Sequence, residues 1–304
     1  MCVLTAIERD ILKKEVSVGN QVLYELCKKY SLSNFCEKYQ SFSKKEKNEI
    51  KDGLAAQLWL IGRAYAASPE RRDYGEKINW KNSGNGLDTY FDLLAEHLCN
   101  NYQKFINCVN PLSKLGNYQF NKERVDIEIL SNVIKGVIEF NKLLKEIRFS
   151  VDENELSAHV NKDCKKMQSL KDKQKNLISF SSKFLHFHFP NIVFIFDSIT
   201  KSHFKGYGNP YEFKFNSETS EIRIYKSKNK NGTQEYLSVF EIQKELSLNE
   251  LNSQEKEYAI RCIREYLLAK EINDFCKRNN SSDNVFKNKS IPRVIDTYML
   301  IANS

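Results

Sequence analysis

The chain has 304 residues, of which 41% are hydrophobic and 12% aromatic, so it can bury a sizeable core and is not a disordered polymer. Its net charge of +8, from 47 basic and 39 acidic residues, favours a polyanionic partner, although a Lys- and Asn-rich composition alone gives the same excess. No apolar run approaches the roughly 20 residues of a membrane span, and the acids and bases inside "MCVLTAIERDILKKEV" are unlike a secretory signal, so a cytoplasmic protein with no membrane partner is expected.

In chain order the pattern is mainly helical. "LTAIERDILKKEV" and "GNQVLYELCKKYSL" space apolar residues at three and four, which is helical. Lysine-rich "SKKEKNEIKDG" leads into "LAAQLWLIGRAYAAS", whose Ala55, Ala56, Gly62 and Ala64 would let another helix approach closely. Ser68-Pro69 then reads as an N-cap and first helical position, carrying Arg71 and Arg72. After the loop "NWKNSGNGLD", Asp88 caps the amphipathic stretch "TYFDLLAEHLCNNYQKFINCV". "RVDIEILSNVIKGVIEFNKLLKEI" is one long helix with Gly136 its weak point. The polar stretch that follows it is helical or mobile.

From Lys175 to Phe189 the helical face holds Leu177, Phe180, Phe184, Leu185 and His188, and Pro190 ends the segment. "IVFIF" is a short buried extended piece, and Asp197 caps the helix after it. "YEFKFNSETSEIRIYKSKNKNGTQEYLSV" alternates apolar and polar, predicting a small antiparallel hairpin or meander inserted near 211–240. Helices resume at "QEKEYAIRCIREYLLAKEINDFCKRN" and close on "SIPRVIDTYMLIANS". The expected lobes are 1–150 and 151–304, or a single domain.

Eight cysteines stand at positions 2, 27, 36, 99, 108, 164, 262 and 276. None forms a C-x-x-C pair or lies near a histidine at zinc-ligand spacing, so reduced core thiols and no metal are expected.

Chemistry concentrates in "SSKFLHFHFPNIVFIFDS". Burial of Lys183 beside Phe184 and Phe187 would favour its neutral, nucleophilic amine, and Asp197 at a helix start would stay ionised. A snorkelling lysine and an ordinary N-cap fit the same residues. His188 shares the apolar face as a core histidine, while His186 on the opposite side is expected to reach solvent or substrate. Arg63, inside an apolar helix, needs a carboxylate or a ligand. With Arg71 and Arg72 it is a candidate phosphate contact, and so is Arg293, which can also pair with Asp296.

The order of lysine-bearing helix, apolar extended stretch and aspartate opening the next helix resembles the helix-hairpin-helix DNA glycosylases, their 8-oxoguanine glycosylase-like branch above all, over about residues 170–204. The resemblance implies a multi-helix glycosylase-like fold acting on double-stranded DNA, in repair or phage defence. It maps Lys183 onto the Schiff-base lysine and Asp197 onto the carboxylate that assists it, with no cofactor. Two other readings stand beside it. Asp197 with Glu212-x-Lys214 resembles the magnesium-dependent PD-(D/E)XK nucleases. A non-catalytic module binding nucleic acid or a partner protein also fits. The arginine–histidine spacing of HEPN ribonucleases and a phosphate-cradling G-x-x-x-x-G-K are both absent.

Overall fold

A computed structural model of the chain describes residues 18–64, 89–116, 118, 127–159, 177–196, 211–216, 221–226, 235–241 and 251–278, with Pro292 and Ile295. These are mainly helical. The chain divides into two compact units, each discontinuous in sequence. One comprises Val16–Gly116 and Gly136–Phe189; the other comprises Met1–Glu15, Asn117–Lys135 and Pro190–Ser304. The boundary expected at residue 150 falls inside a helix, Ile127–His159.

The first unit is helical throughout its described residues. Helix α1 (Val18–Lys29) is followed by α2 (Leu32–Lys38), a short 3-10 turn and α3 (Lys44–Ala64). Two caps written in the sequence set these boundaries. The Ser31 hydroxyl accepts from the Ser33 amide at 3.2 Å and opens α2. At α3, the Glu46 amide donates to the Ser43 hydroxyl while the Ser43 amide donates back to the Glu46 carboxylate at 2.7 Å, a capping box spelled S-K-K-E. Helices α4 (Thr89–Asn100) and α5 (Tyr102–Leu115) replace the single helix expected there. The break is at Asn101, whose non-helical backbone (φ −100°, ψ 31°) lets its side-chain amide bond back to the His97 carbonyl at 2.9 Å.

Helix α6 (Ile127–His159) and α7 (Ile178–His188) complete the unit from residue 136 on. Helix α3 packs on α4 and on α7, α1 on α3 and α7, and α2 on α5. A chain of rings crosses this core: Tyr39 to Phe35 at 4.5 Å, Phe35 to Phe105 at 5.2 Å, Phe105 to Phe140 at 5.7 Å and Phe140 to Phe184 at 5.3 Å. Such pairs add about 0.5–1.5 kcal/mol each beyond the area they bury.

Gly136 is in α6 for packing. A Cβ there would lie 2.9 Å from both Cγ and Cδ2 of the buried Leu112. Alanine in place of a mid-helix glycine ordinarily gains about 1 kcal/mol. Here the sign reverses, because Leu112 branches at the atom being struck. Gly136→Ala is expected to cost about 1–3 kcal/mol in urea denaturation.

In the second unit the described elements are the first residues of α6, the apolar run Ile192–Phe196, three strands and helix α8 (Ser253–Arg278). Strands β1 (Tyr211–Asn216), β2 (Glu221–Lys226) and β3 (Glu235–Glu241) pair antiparallel in the order β1-β2-β3. Phe213 is in register with Ile224 in the first ladder and Ile222 with Phe240 in the second, with a register shift at Ile224/Tyr225. Asn252 opens α8 by a reciprocal cap: its side-chain oxygen accepts from the amides of Gln254 and Glu255, and its own amide donates to the Glu255 carboxylate.

Candidate functional site

Helix α7 carries the sequence-predicted lysine, and it is not a one-sided amphipathic helix. Every residue from Ile178 to Phe187 except Ser179 is buried. Apolar groups alone would make this an ordinary core helix, but Ser181, Ser182, Lys183 and His186 are buried with them. Lys183 keeps only 7% exposure, with Phe180, Phe184 and Phe187 buried on the same helix. The stretch "ISFSSK" before and including it is helical from Ile178 on.

The two histidines are both held inside. His186 was expected to reach solvent; it is fully buried, and a hydrogen bond of 3.2 Å joins its Nε2 to the Tyr24 hydroxyl on α1. The helical wheel placed it opposite the apolar face, but α1 covers that side of α7 as well. A side chain sealed in this way does not contact a phosphate backbone. His188 is half-buried, and its Nε2 donates to Oε1 of the fully buried Gln57 at 3.1 Å. Gln57 in turn donates through Nε2 to the carbonyls of Leu26 and Tyr30 at the end of α1. One amide therefore closes a helix terminus and anchors α7 together.

Burial against Phe184 lowers the His188 pKa to about 3. The unfolded chain then binds this proton first, near the ordinary value of about 6.5. The stability it contributes is complete above that pH and is lost on acidification toward pH 3, by at most about 1.4 kcal/mol per pH unit. His188→Gln is expected to flatten this acid limb in urea melts between pH 7 and 4.

Other polar groups of this core lack partners. Both amide atoms of the fully buried Asn141 and the hydroxyl of Ser181 have no hydrogen-bond partner among the described residues. Such atoms are uncommon in a purely structural core. The described thiols are inert by contrast. Cys27, Cys99 and Cys262 are buried and free, and burial pushes the Cys27 thiol up to about 12 and the Cys108 thiol up to about 11.

Asp197, Arg71, Arg72 and Arg293 lie outside the described residues, and Arg63 is placed only as a position in α3. Glu212 and Lys214 fall on β1, opposite Tyr225 and Arg223, at the edge of the sheet. Among the described residues no group of His, Cys, Asp and Glu gathers at metal-ligand distance, and no helix is long and apolar enough to cross a membrane.

A charged cluster on α8 is not evident from the sequence pattern alone. Arg261 and Glu265, with side chains 5% and 1% exposed, lie 3.7 Å apart across one helical turn. The Arg261 guanidinium also sits 4.4 Å from the centre of the Phe196 ring. Tyr258, one turn earlier, meets the same ring edge-on at 5.8 Å, and its hydroxyl donates to the Phe194 carbonyl. These residues of α8 clamp the apolar run whose next residue is Asp197. The signal was Tyr-x-x-Arg-x-x-x-Glu, one face of a helix, with the aromatic naming that face as interior.

No protein family, curated protein or solved structure matches this chain.

Proposed function

We propose that the chain is a DNA glycosylase-like protein in which Lys183 is the nucleophile. The observation that carries this reading is the burial of Lys183 to 7% exposure on an aromatic helix. Taking an ammonium out of water favours its neutral form, and a neutral primary amine attacks carbon. The buried polar atoms of Ser181 on the same helix and of Asn141 on α6, which have no partner among the described residues, are consistent with a site there.

In this reaction the amine lone pair attacks C1′ of a nucleotide turned out of the duplex. The N-glycosidic bond breaks, and its electrons leave with the base, which takes up a proton. The resemblance to the glycosylases gives Asp197 the role of the carboxylate that would offset positive charge developing on the sugar. Opening of the sugar ring gives an imine between Lys183 and C1′, which water hydrolyses. Clamping of Ile192–Phe196 by Tyr258 and Arg261 fixes the segment that leads into Asp197.

The test uses duplex DNA with a modified base, incubated with the protein and borohydride, which reduces the imine to a stable amine. A covalent protein–DNA band together with free base supports the reading. Strand cleavage that EDTA abolishes, with no adduct and no base release, replaces it with the nuclease. Salt-sensitive binding without chemistry leaves a binding module.

A further inference from the structure

One helical turn beyond Lys183 lies a titratable pair that the proposed reaction has not used. A side chain on an α-helix leans toward the N-terminus and covers the turn before its own Cα, so the imidazole of His186 covers the turn that carries Ser182 and Lys183. Residues three apart on a helix are neighbours, with Cβ atoms about 5–6 Å apart. His186 is fully buried, its ring meets Phe187 edge-on, and its Nε2 is joined to the Tyr24 hydroxyl of α1 at 3.2 Å. Tyr24 itself is only half-buried. A line of exchangeable groups therefore runs from the turn of Lys183, through an imidazole, to a phenol on a residue that keeps contact with solvent.

The neighbouring histidine gives the contrast. His188 donates to the Gln57 amide oxygen, and Gln57 is committed to two backbone carbonyls of α1 and the residue after it. An amide accepts and donates hydrogen bonds but does not hand a proton on, so that chain ties helices together and no more. The Tyr24 and Phe187 rings, 4.9 Å apart, join α1 to α7 a second time. What the imidazole and the phenol add to these ties is two groups that can each give a proton and take one.

Lys183 needs such an outlet. Its ammonium must lose a proton before the nitrogen can attack, and a nucleotide bound over its remaining 7% of exposure closes the direct way to water. We infer that His186 and Tyr24 form the proton exit of Lys183. With the imidazole proton on Nε2, Nδ1 takes a proton from the Lys183 ammonium, Nε2 releases its own to the Tyr24 oxygen, and the Tyr24 O–H proton passes to water. The amine is then neutral with its lone pair free, the imidazole is neutral with its proton on Nδ1, and one proton has reached solvent. Both residues act through the lysine and not on the nucleotide. This exit rests on the proposed role of Lys183 as nucleophile, and it supplies the step that frees that amine.

The test follows single-turnover formation of the borohydride-trapped adduct by the full chain on duplex DNA bearing an abasic site, whose C1′ aldehyde takes an amine with no base to remove. His186→Gln keeps a group that can hydrogen-bond to Tyr24 but cannot carry a proton, and it should slow adduct formation about a hundredfold. Tyr24→Phe keeps the ring against Phe187 and loses only the hydroxyl, and about tenfold slowing is expected. DNA affinity, read by anisotropy, should be unchanged in both. Added imidazole should restore the rate of His186→Ala, a rescue that a histidine serving only as a tie between helices would not show. Circular dichroism verifies folding, and if the His186 variants do not fold, Tyr24→Phe decides. A Lys183-dependent adduct formed at the wild-type rate by His186→Gln or by Tyr24→Phe overturns the relay and leaves the nucleophile in place. No adduct with the wild type, or one that persists in Lys183→Met, rejects the proposed function and the relay with it.

Discussion

Lys183→Met and Lys183→Arg should both reduce borohydride-trapped adduct to background and slow base release by two orders of magnitude or more, about 2.7 kcal/mol of transition-state stabilisation. The two variants ask different questions of one position. Methionine keeps the length of the side chain and suits the apolar surroundings of α7, but it has no amine. Arginine keeps the positive charge and lacks an amine that can be deprotonated near neutral pH. If Lys183 serves only as a buried cation, arginine retains activity and methionine does not. If it is the nucleophile, neither works. Thermal melts of both variants show whether the helical unit has survived, so loss of chemistry with an intact melt is the decisive outcome. Trapping that persists in either variant would assign the covalent step to another amine.

Glu265→Ala is expected to destabilise the protein by about 3–5 kcal/mol. Arg261 and Glu265 are almost wholly removed from solvent, and deleting the carboxylate leaves a guanidinium charge in a low-dielectric surrounding. The Phe196 ring offsets about 2 kcal/mol of this. Arg261→Met alone should also be costly, because it removes a guanidinium from beside a carboxylate that is 1% exposed. The double variant Arg261→Met/Glu265→Ala should recover much of the loss, since neither charge then remains to be desolvated. Urea denaturation of the four proteins closes the cycle. A cost below about 1 kcal/mol for Glu265→Ala would mean that water reaches the pair.

Local rules were readable in the sequence where the signal was local. Pro190 stopped α7 within a residue or two of the expected place, and the Ser43–Glu46 box opened α3 as its spelling requires. Gly136 was visible as an anomaly in a long helix, although the reason for it, the Leu112 side chain, is 24 positions away along the chain. The failures were of longer range. A helical wheel assumes one buried face and one wet one, so His186 was assigned to solvent while α1 covers it. Arg261 and Glu265 have the spacing of a solvated surface pair, and only the three-dimensional surroundings show them to be interior. Asn101 ended a helix that its flanking apolar pattern would have continued. Of the candidate site, sequence identified Lys183 and its aromatic setting, and the clamp on the segment leading to Asp197 emerged only from the packing of α8.

The division of the chain also has a consequence for its synthesis. Helix α7, around which α1 and α3 pack, is the last piece of its unit, so a nascent chain that has delivered Val16–Gly116 still lacks its central element. Those early helices must wait on the ribosome until about residue 189 has emerged, with apolar surface available to chaperones meanwhile. For the same reason, a fragment ending near residue 150 would release an unfinished half rather than a separable lobe.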